Sequence, residues 1–579
     1  MSAVVILLIA IAALLCGYLF YGRWLAKQWG VDPKRETPAH ELQDGKDYVP
    51  AAPYVVLGHH FSSIAGAGPI NGPIQAAIFG WVPVMLWVLI GGIFFGAVHD
   101  FGALFASIRH KGRTLAMVIQ RNIDDTAKKL FCVFAYLTLL LVVAAFASIV
   151  ASTFAITPVP VDDPTRAAVV AGTNVANSRT AMISILFVVV AIVYGIVTRG
   201  RKIPAAANII SAIAIIIAVV AIGYNFPVIQ LDNFSWMMIV GVYIFAASIA
   251  PVWVLLQPRD YLSSYLLYGM IALAVVGIIG SGIMGASNDL QIPAFTGAFA
   301  AAGDSKVAAS GFLFPALFIT IACGACSGFH ALVSSGTSSK QLAKETDATA
   351  IGYGAMLLEG MVAVVSIVCV MILAKDSELI TKAPNFIYAM GIGSFMELIG
   401  IPAAFGISFG LMAFTTFVYD TLDVCTRLGR YVIEELTGWR DMKGKVLGTV
   451  LTSAVPIFFI FQTMTDAKGN VIPAWKTFWN TFGASNQLLA ALALIGISIW
   501  LYNTRRNSKV WMAACIPAVL MFLMSNWALL LSIYEGWVLG LGHPAVPVVS
   551  VILVILSVLV AVETIYSVSK SKAQIQKEQ

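Results

Sequence analysis

Charge is what this 579-residue chain lacks: only 11% of its residues are Asp, Glu, Lys or Arg, where a soluble protein carries about 25%. So few charges cannot wrap a core of this size in a water-facing surface, which excludes a soluble enzyme or binding module. With 59% hydrophobic residues and a mean hydropathy of +0.88, the chain reads as a polytopic membrane protein. Cysteine is sparse as well. Cys16, Cys132, Cys323, Cys326, Cys369, Cys425 and Cys515 all fall in apolar segments or at their ends, so no disulfide framework is expected. Cys323 and Cys326 have no second pair in a loop, and no metal site is expected there. No positive segment precedes the first apolar stretch, and Leu14-Leu15 rather than a small residue precedes Cys16. Residues 1–22 therefore read as a retained first span rather than a cleaved signal.

What is abundant is apolar runs. Their lengths and boundaries predict an all-α protein of about 15 transmembrane helices. With the N-terminus outside and alternating spans, only Arg166, Arg179, Lys306, Lys375, Lys382, Lys468 and Lys476 of the 35 basic residues fall on the outer side. This bias follows the positive-inside rule and places the N-terminus outside and the C-terminus inside. The net charge of +6 is thus spent on topology, not on nucleic acid.

Gly66, Gly68, Pro69, Gly72 and Pro73 crowd the second span, 54–79, and make a continuous helix improbable. A helix breaks at membrane depth only where the break is buried in protein or lines a wet cavity. The expected consequence is a substrate site near the midplane, with Pro73 starting a second half-helix whose N–H groups hold a carboxylate. Gly66, Gly68, Ile70, Asn71, Gly72 and Gln75 are the candidates. A proline kink for close packing would need fewer such residues. A second interruption, Ala250-Pro251-Val252-Trp253 and Gln257-Pro258-Arg259-Asp260, lies five spans later and adds Ala250, Trp253 and Gln257. An odd offset inverts topology, so residues 54–223 and 234–435 are expected to form two inverted five-helix repeats. Residues 1–22 are then an extra N-terminal helix, 447–568 additional C-terminal helices and 569–579 a cytoplasmic tail.

Ionisable side chains inside a membrane are costly and point to function. His59, His60, His99, Asp100, His330, Glu359, Asp420 and Asp423 all map to the inner half, as do the hydroxyls of Ser334, Ser335 and Thr337. These are the candidates for ion coupling or gating. Glu359 is the leading candidate for a carboxylate that takes and releases a proton, and the hydroxyl cluster offers a place for Na⁺. Asp420, Asp423, Arg427 and Arg430 share a helical face, which reads as an ion-pair ladder or an inner gate. Small-residue packing explains Gly and Ser near residue 330 but not His330. The coupling ion is H⁺ or Na⁺, and no other cofactor is expected.

The stretches 58–70, 98–101, 251–262 and 327–341 resemble the carbon starvation protein A family. The resemblance implies an inner-membrane, starvation-associated importer of peptides, with some members pyruvate–proton symporters. It also implies a five-plus-five inverted-repeat core of LeuT type. The reading is therefore a secondary transporter of a small molecule, peptide or pyruvate, and not an enzyme; oligomeric state is left open. Two other classes stand against it. A passive channel would show repeated pore loops or rings of one charge. A membrane metalloenzyme using His59, His60, His99 and His330 would need a ligand spacing such as H-E-x-x-H, which is absent.

Overall fold

The computed structural model describes residues 2–578 apart from 46, 161–162, 199–200, 202, 251–253, 285–288, 300–310, 374–381, 440, 463, 466–470 and 506–507. Among the described residues, 12 helices are long and apolar enough to cross a membrane. They are α1 (Ala3–Trp29), α4 (Trp81–Arg109), α6 (Asp125–Phe154), α7 (Pro164–Thr198), α8 (Ala205–Asn225) and α10 (Leu256–Ile283), with α14 (Thr349–Met371), α16 (Ala403–Thr437), α17 (Met442–Ile460), α18 (Ala474–Thr504), α19 (Lys509–Trp537) and α20 (Ala545–Glu578). Three other apolar regions are shorter or broken: α2 (Pro53–Ile64) with α3 (Gly68–Ala76), α9 (Asn233–Ile249), and α11 (Leu313–Thr320), α12 (Ala322–Ala325) and α13 (Phe329–Gly336). Outside the predicted spans lie the short amphipathic α5 (Leu115–Asn122), α15 (Pro384–Leu398) and a single helical turn at Pro38–Glu41.

Polar residues at the helix ends start and stop the elements. The side chains of Asp124, Asp232 and Asp441 accept from Ala127, Ser235 and Gly444 N–H groups, closing the N-termini of α6, α9 and α17. Gly30 and Gly438 end α1 and α16 in the left-handed conformation.

Burial sorts the helices. α18 is almost wholly buried although it is apolar all round, the pattern of a helix in the middle of a bundle. α1, α8 and α20 keep broad exposed apolar faces, as lipid-facing helices do. The two broken segments cross as a pair, α3 against α12 and α2 against α13, and α14 packs along both halves of the first. Such close crossing needs backbone-sized side chains. A Cβ on Gly68 would meet Cys323, one on Gly72 the carbonyl of Thr320, and one on Gly328 the backbone of Asn486 and Ala490.

Two expectations are corrected here. The first break falls at residues 65–67, so the second half-helix begins at Gly68 with Pro69 in its first turn, and Pro73 lies inside it. The second interruption within one apolar segment lies at 326–328, not at 250–258. The latter stretch instead separates α9 from α10, with Trp253 and the side chain of Gln257 outside the described residues. We expect Gly328→Leu to abolish recovery of monodisperse protein on size exclusion in detergent. Gly269→Ala, where a Cβ meets nothing, should leave the thermal midpoint unchanged or raise it.

Candidate functional site

Each break exposes main-chain groups that the protein must satisfy. At the second, the Gly328 N–H donates to the Asn486 carbonyl at 2.9 Å and the Phe329 N–H to Asn486 Oδ1 at 2.9 Å. Asn486 Nδ2 in turn donates to Ser327 Oγ at 2.9 Å. The next residue, Gln487, donates to the Phe318 carbonyl at 3.1 Å. Two adjacent amides on α18 therefore hold the broken segment open. Neither Asn486 nor Gln487 stands out by spacing; the available signal is a polar run, Ser485-Asn486-Gln487, inside a long apolar helix.

Beside this break lies a fully buried chain of ionisable groups. His99 Nδ1 is 2.7 Å from Asp100 Oδ1, and His330 Nδ1 is 2.8 Å from Asp100 Oδ2. His330 Nε2 is 3.2 Å from Glu359 Oε2. An ionised carboxylate only accepts, so Asp100 fixes the proton of both histidines on Nδ1. His330 Nε2 thus faces Glu359 at ion-pair distance, and neither that nitrogen nor either Glu359 carboxyl oxygen has a hydrogen-bond partner among the described residues. Glu359 has no other side-chain or backbone partner among the described residues. Three elements, α4, α13 and α14, thus bring together residues separated by 260 positions, and all four were candidates from sequence.

A second buried network centres on Arg259, which is 1% exposed and not in an inner loop as its position suggested. Its guanidinium contacts Asp420 at 2.6 Å, Asp260 at 3.1 Å, the Tyr243 hydroxyl at 3.0 Å, and Asp423. The planar fork explains how one cation can serve three carboxylates on two helices. His59 Nδ1 joins it, 2.7 Å from Asp260 Oδ2, and borders a cavity of about 360 Å³ on the Lys/Arg-rich face. The expected ladder is therefore corrected. Asp420 and Asp423 pair with Arg259, while Arg427 donates to the Ala247 and Ala250 carbonyls and Arg430 to that of Ser248. Those carbonyls end α9, where a helix carries partial negative charge and welcomes cations. Arg259 and Asp260 were missed as site residues because Pro258-Arg259-Asp260 reads as a loop.

The remaining candidates divide. His60 Nδ1 lies 2.8 Å from Ser338 Oγ. Ser335 and Thr337 spend their hydroxyl protons on the Ala331 and Val333 carbonyls of their own helix, whereas Ser334 Oγ is buried without a partner among the described residues. Gly66 faces Phe146 and Thr421, Ile70 is buried, and Gln75 donates to the Asn71 carbonyl. Asn71 borders a cavity of about 300 Å³ at the end of the bundle opposite the basic face. The Ala250 carbonyl accepts from Arg427.

Two crossing broken helices inside a bundle of long apolar ones, with ionisable chains buried beside the breaks, define a multi-pass membrane protein of LeuT-type fold. The same fold occurs in a crystal structure of the Eremococcus coleocola manganese transporter (TM-score 0.52, 12% identity, 91% of this chain and 98% of that one). It occurs also in MhsT in complex with L-phenylalanine (TM-score 0.50, 12% identity, 83% and 99%). The chain belongs to the carbon starvation protein CstA family, whose profile matches residues 2–387 and 375–528. It is 33% identical to the Helicobacter pylori peptide transporter CstA over 89% of this chain and 80% of the relative. It is 30% identical to the Escherichia coli pyruvate/proton symporter BtsT over 92% and 82%.

Removing one partner of a buried ion cluster leaves the others uncompensated. Arg259→Leu should cost about 3–5 kcal/mol, read as a lowered unfolding midpoint in detergent. Adding Asp420→Asn and Asp423→Asn to it should recover part of that loss.

Proposed function

We propose that this chain is a secondary active transporter that imports peptides, or alternatively pyruvate, across the cytoplasmic membrane by proton-coupled alternating access. The observation that carries the reading is the buried His99–Asp100–His330–Glu359 chain beside the two breaks. It sets a buried carboxyl group without a hydrogen-bond partner 3.2 Å from an imidazole nitrogen, which suits a group that loads and releases H⁺ as its surroundings change. The names of the relatives supply the substrate classes, peptide in one case and pyruvate with a proton in the other. The Na⁺ alternative at Ser334 to Thr337 has less support, since two of its hydroxyls are committed to backbone carbonyls.

The packing supports an inverted five-plus-five core with a different division from the one expected. Its first half is α2–α3, α4, α6, α9 and α10; its second is α11–α13, α14, α16, α17 and α18. Neighbours repeat under exchange of halves. The contact of α3 with α14 is matched by α13 with α4, that of α6 with α18 by α16 with α10, and that of α9 with α16 by α17 with α6. On this division the α7–α8 hairpin is an insertion in the first half and α15 one in the second, while α1, α19 and α20 are additions. The basic face is the cytoplasmic one. There a cavity of about 750 Å³ reaches Leu332, Ser335 and Gly336 of the second broken helix, and the Arg259 cluster serves as the inner gate. The carboxylate of the substrate docks near Gly68 to Gly72 once the crossing helices part, because Gly68 is closed against Cys323 and Gly72 against Thr320 here.

Proteoliposomes test the proton path. Glu359→Gln should abolish accumulation driven by an inward proton gradient while retaining counterflow of dialanine or pyruvate. Gradient-driven accumulation at the wild-type level would exclude Glu359 from coupling.

A further inference from the structure

The cavity of about 300 Å³ opposite the basic face has an unusual lining. It is built where α6 ends and α7, α15 and α18 begin, with Asn71 of α3 against it. Two of the few basic residues assigned to that side, Lys382 and Lys476, border it together although they lie far apart in sequence. No Asp or Glu lines it among the described residues, and neither lysine makes an ion pair there. Both stand where a cation is unfavourable. Lys476 is in the first turn of α18 and Lys382 precedes the first turn of α15, and helix N-termini already carry partial positive charge. Positive potential is thus concentrated at a cavity that no carboxylate lines among the described residues, the Lys476 ammonium lying over the Trp475 ring at 5.8 Å.

At Asn71, 1% exposed, Oδ1 is buried and has no hydrogen-bond partner among the described residues. It is an acceptor waiting for a donor. Nearby, Asn385 donates to Thr153 Oγ1 at 2.9 Å and Thr153 to the Ile149 carbonyl at 2.7 Å, so these groups are already engaged. At about 30 Å³ per water, the space equals roughly ten waters and admits a molecule the size of a dipeptide.

We propose that this cavity is an outer capture site for a short peptide, with its carboxylate between Lys382 and Lys476 and an N–H group on Asn71 Oδ1. The proposal rests on the import reading above and adds a selectivity to it. Pyruvate has the carboxylate but no N–H donor, so it answers to the lysines and not to Asn71. The site lies on the same half-helix as the break, so an occupant is held on the path inward.

The full chain in proteoliposomes, with dialanine and pyruvate as probes, tests this. Lys382→Gln with Lys476→Gln should raise KM for both probes about tenfold, as loss of a charge-assisted contact does, with kcat within about twofold. The paired Lys→Arg variant should restore KM. Asn71→Leu should raise KM for dialanine several-fold more than for pyruvate. Unchanged KM in the double glutamine variant overturns the proposal, and so does a loss that arginine does not rescue. Equilibrium binding of labelled dialanine to detergent-purified protein separates the two readings. Binding weakened by the lysine changes, without uptake by the wild-type protein, keeps the site and refutes transport. Uptake and binding both indifferent to the lysines refute the site alone.

Discussion

Main chain that leaves the helix inside a bilayer must find its hydrogen bonds within the protein, because lipid offers none. The rest of this structure depends on that constraint being met at residues 326–328. There Asn486 takes the N–H groups of Gly328 and Phe329, and Gln487 takes a carbonyl from the segment before the break. α18 is buried all round for this reason: it is the inner wall against which the second broken helix is stabilised. The first broken helix can then cross so closely that Gly68 and Gly72 have no room for a side chain.

The two ionisable networks follow from the same arrangement but differ in balance. In the His330 chain, carboxylates alternate with imidazoles, so basic and acidic groups adjoin one another along it. In the Arg259 cluster, one guanidinium faces three carboxylates and His59, so the local charge is held in place by geometry and is sensitive to any separation of α2, α10 and α16. One network suits transfer of a proton, the other suits a latch. His59 and His60, adjacent in sequence, are directed to different partners because successive residues on a helix point about 100° apart, and only the first reaches Asp260.

Much of the site was readable before any coordinates. The Gly/Pro crowding at 66–73 announces a break, since no packing alternative needs so many helix breakers. His99, Asp100, His330 and Glu359 announce themselves by being ionisable in apolar surroundings. What stayed hidden depended on distance in space. Arg259 looked like a topology marker because a basic residue after two prolines is ordinary in a loop, and nothing in its own segment reveals three carboxylates, two of them 160 residues away. The break at 326–328 was concealed because Gly324 to Gly328 is equally compatible with a tightly packed helix. Asn486, which decides between those two, belongs to another helix.

The sequence by itself determined the membrane class, the helices, the basic face and which side chains had to be accounted for, because transfer energies and helix propensities act on each segment alone. Only the tertiary structure decided which of those side chains adjoin one another, which pair with Arg259, and which helix holds the second break. Those outcomes are set by contacts between segments hundreds of residues apart, and no local periodicity carries that information.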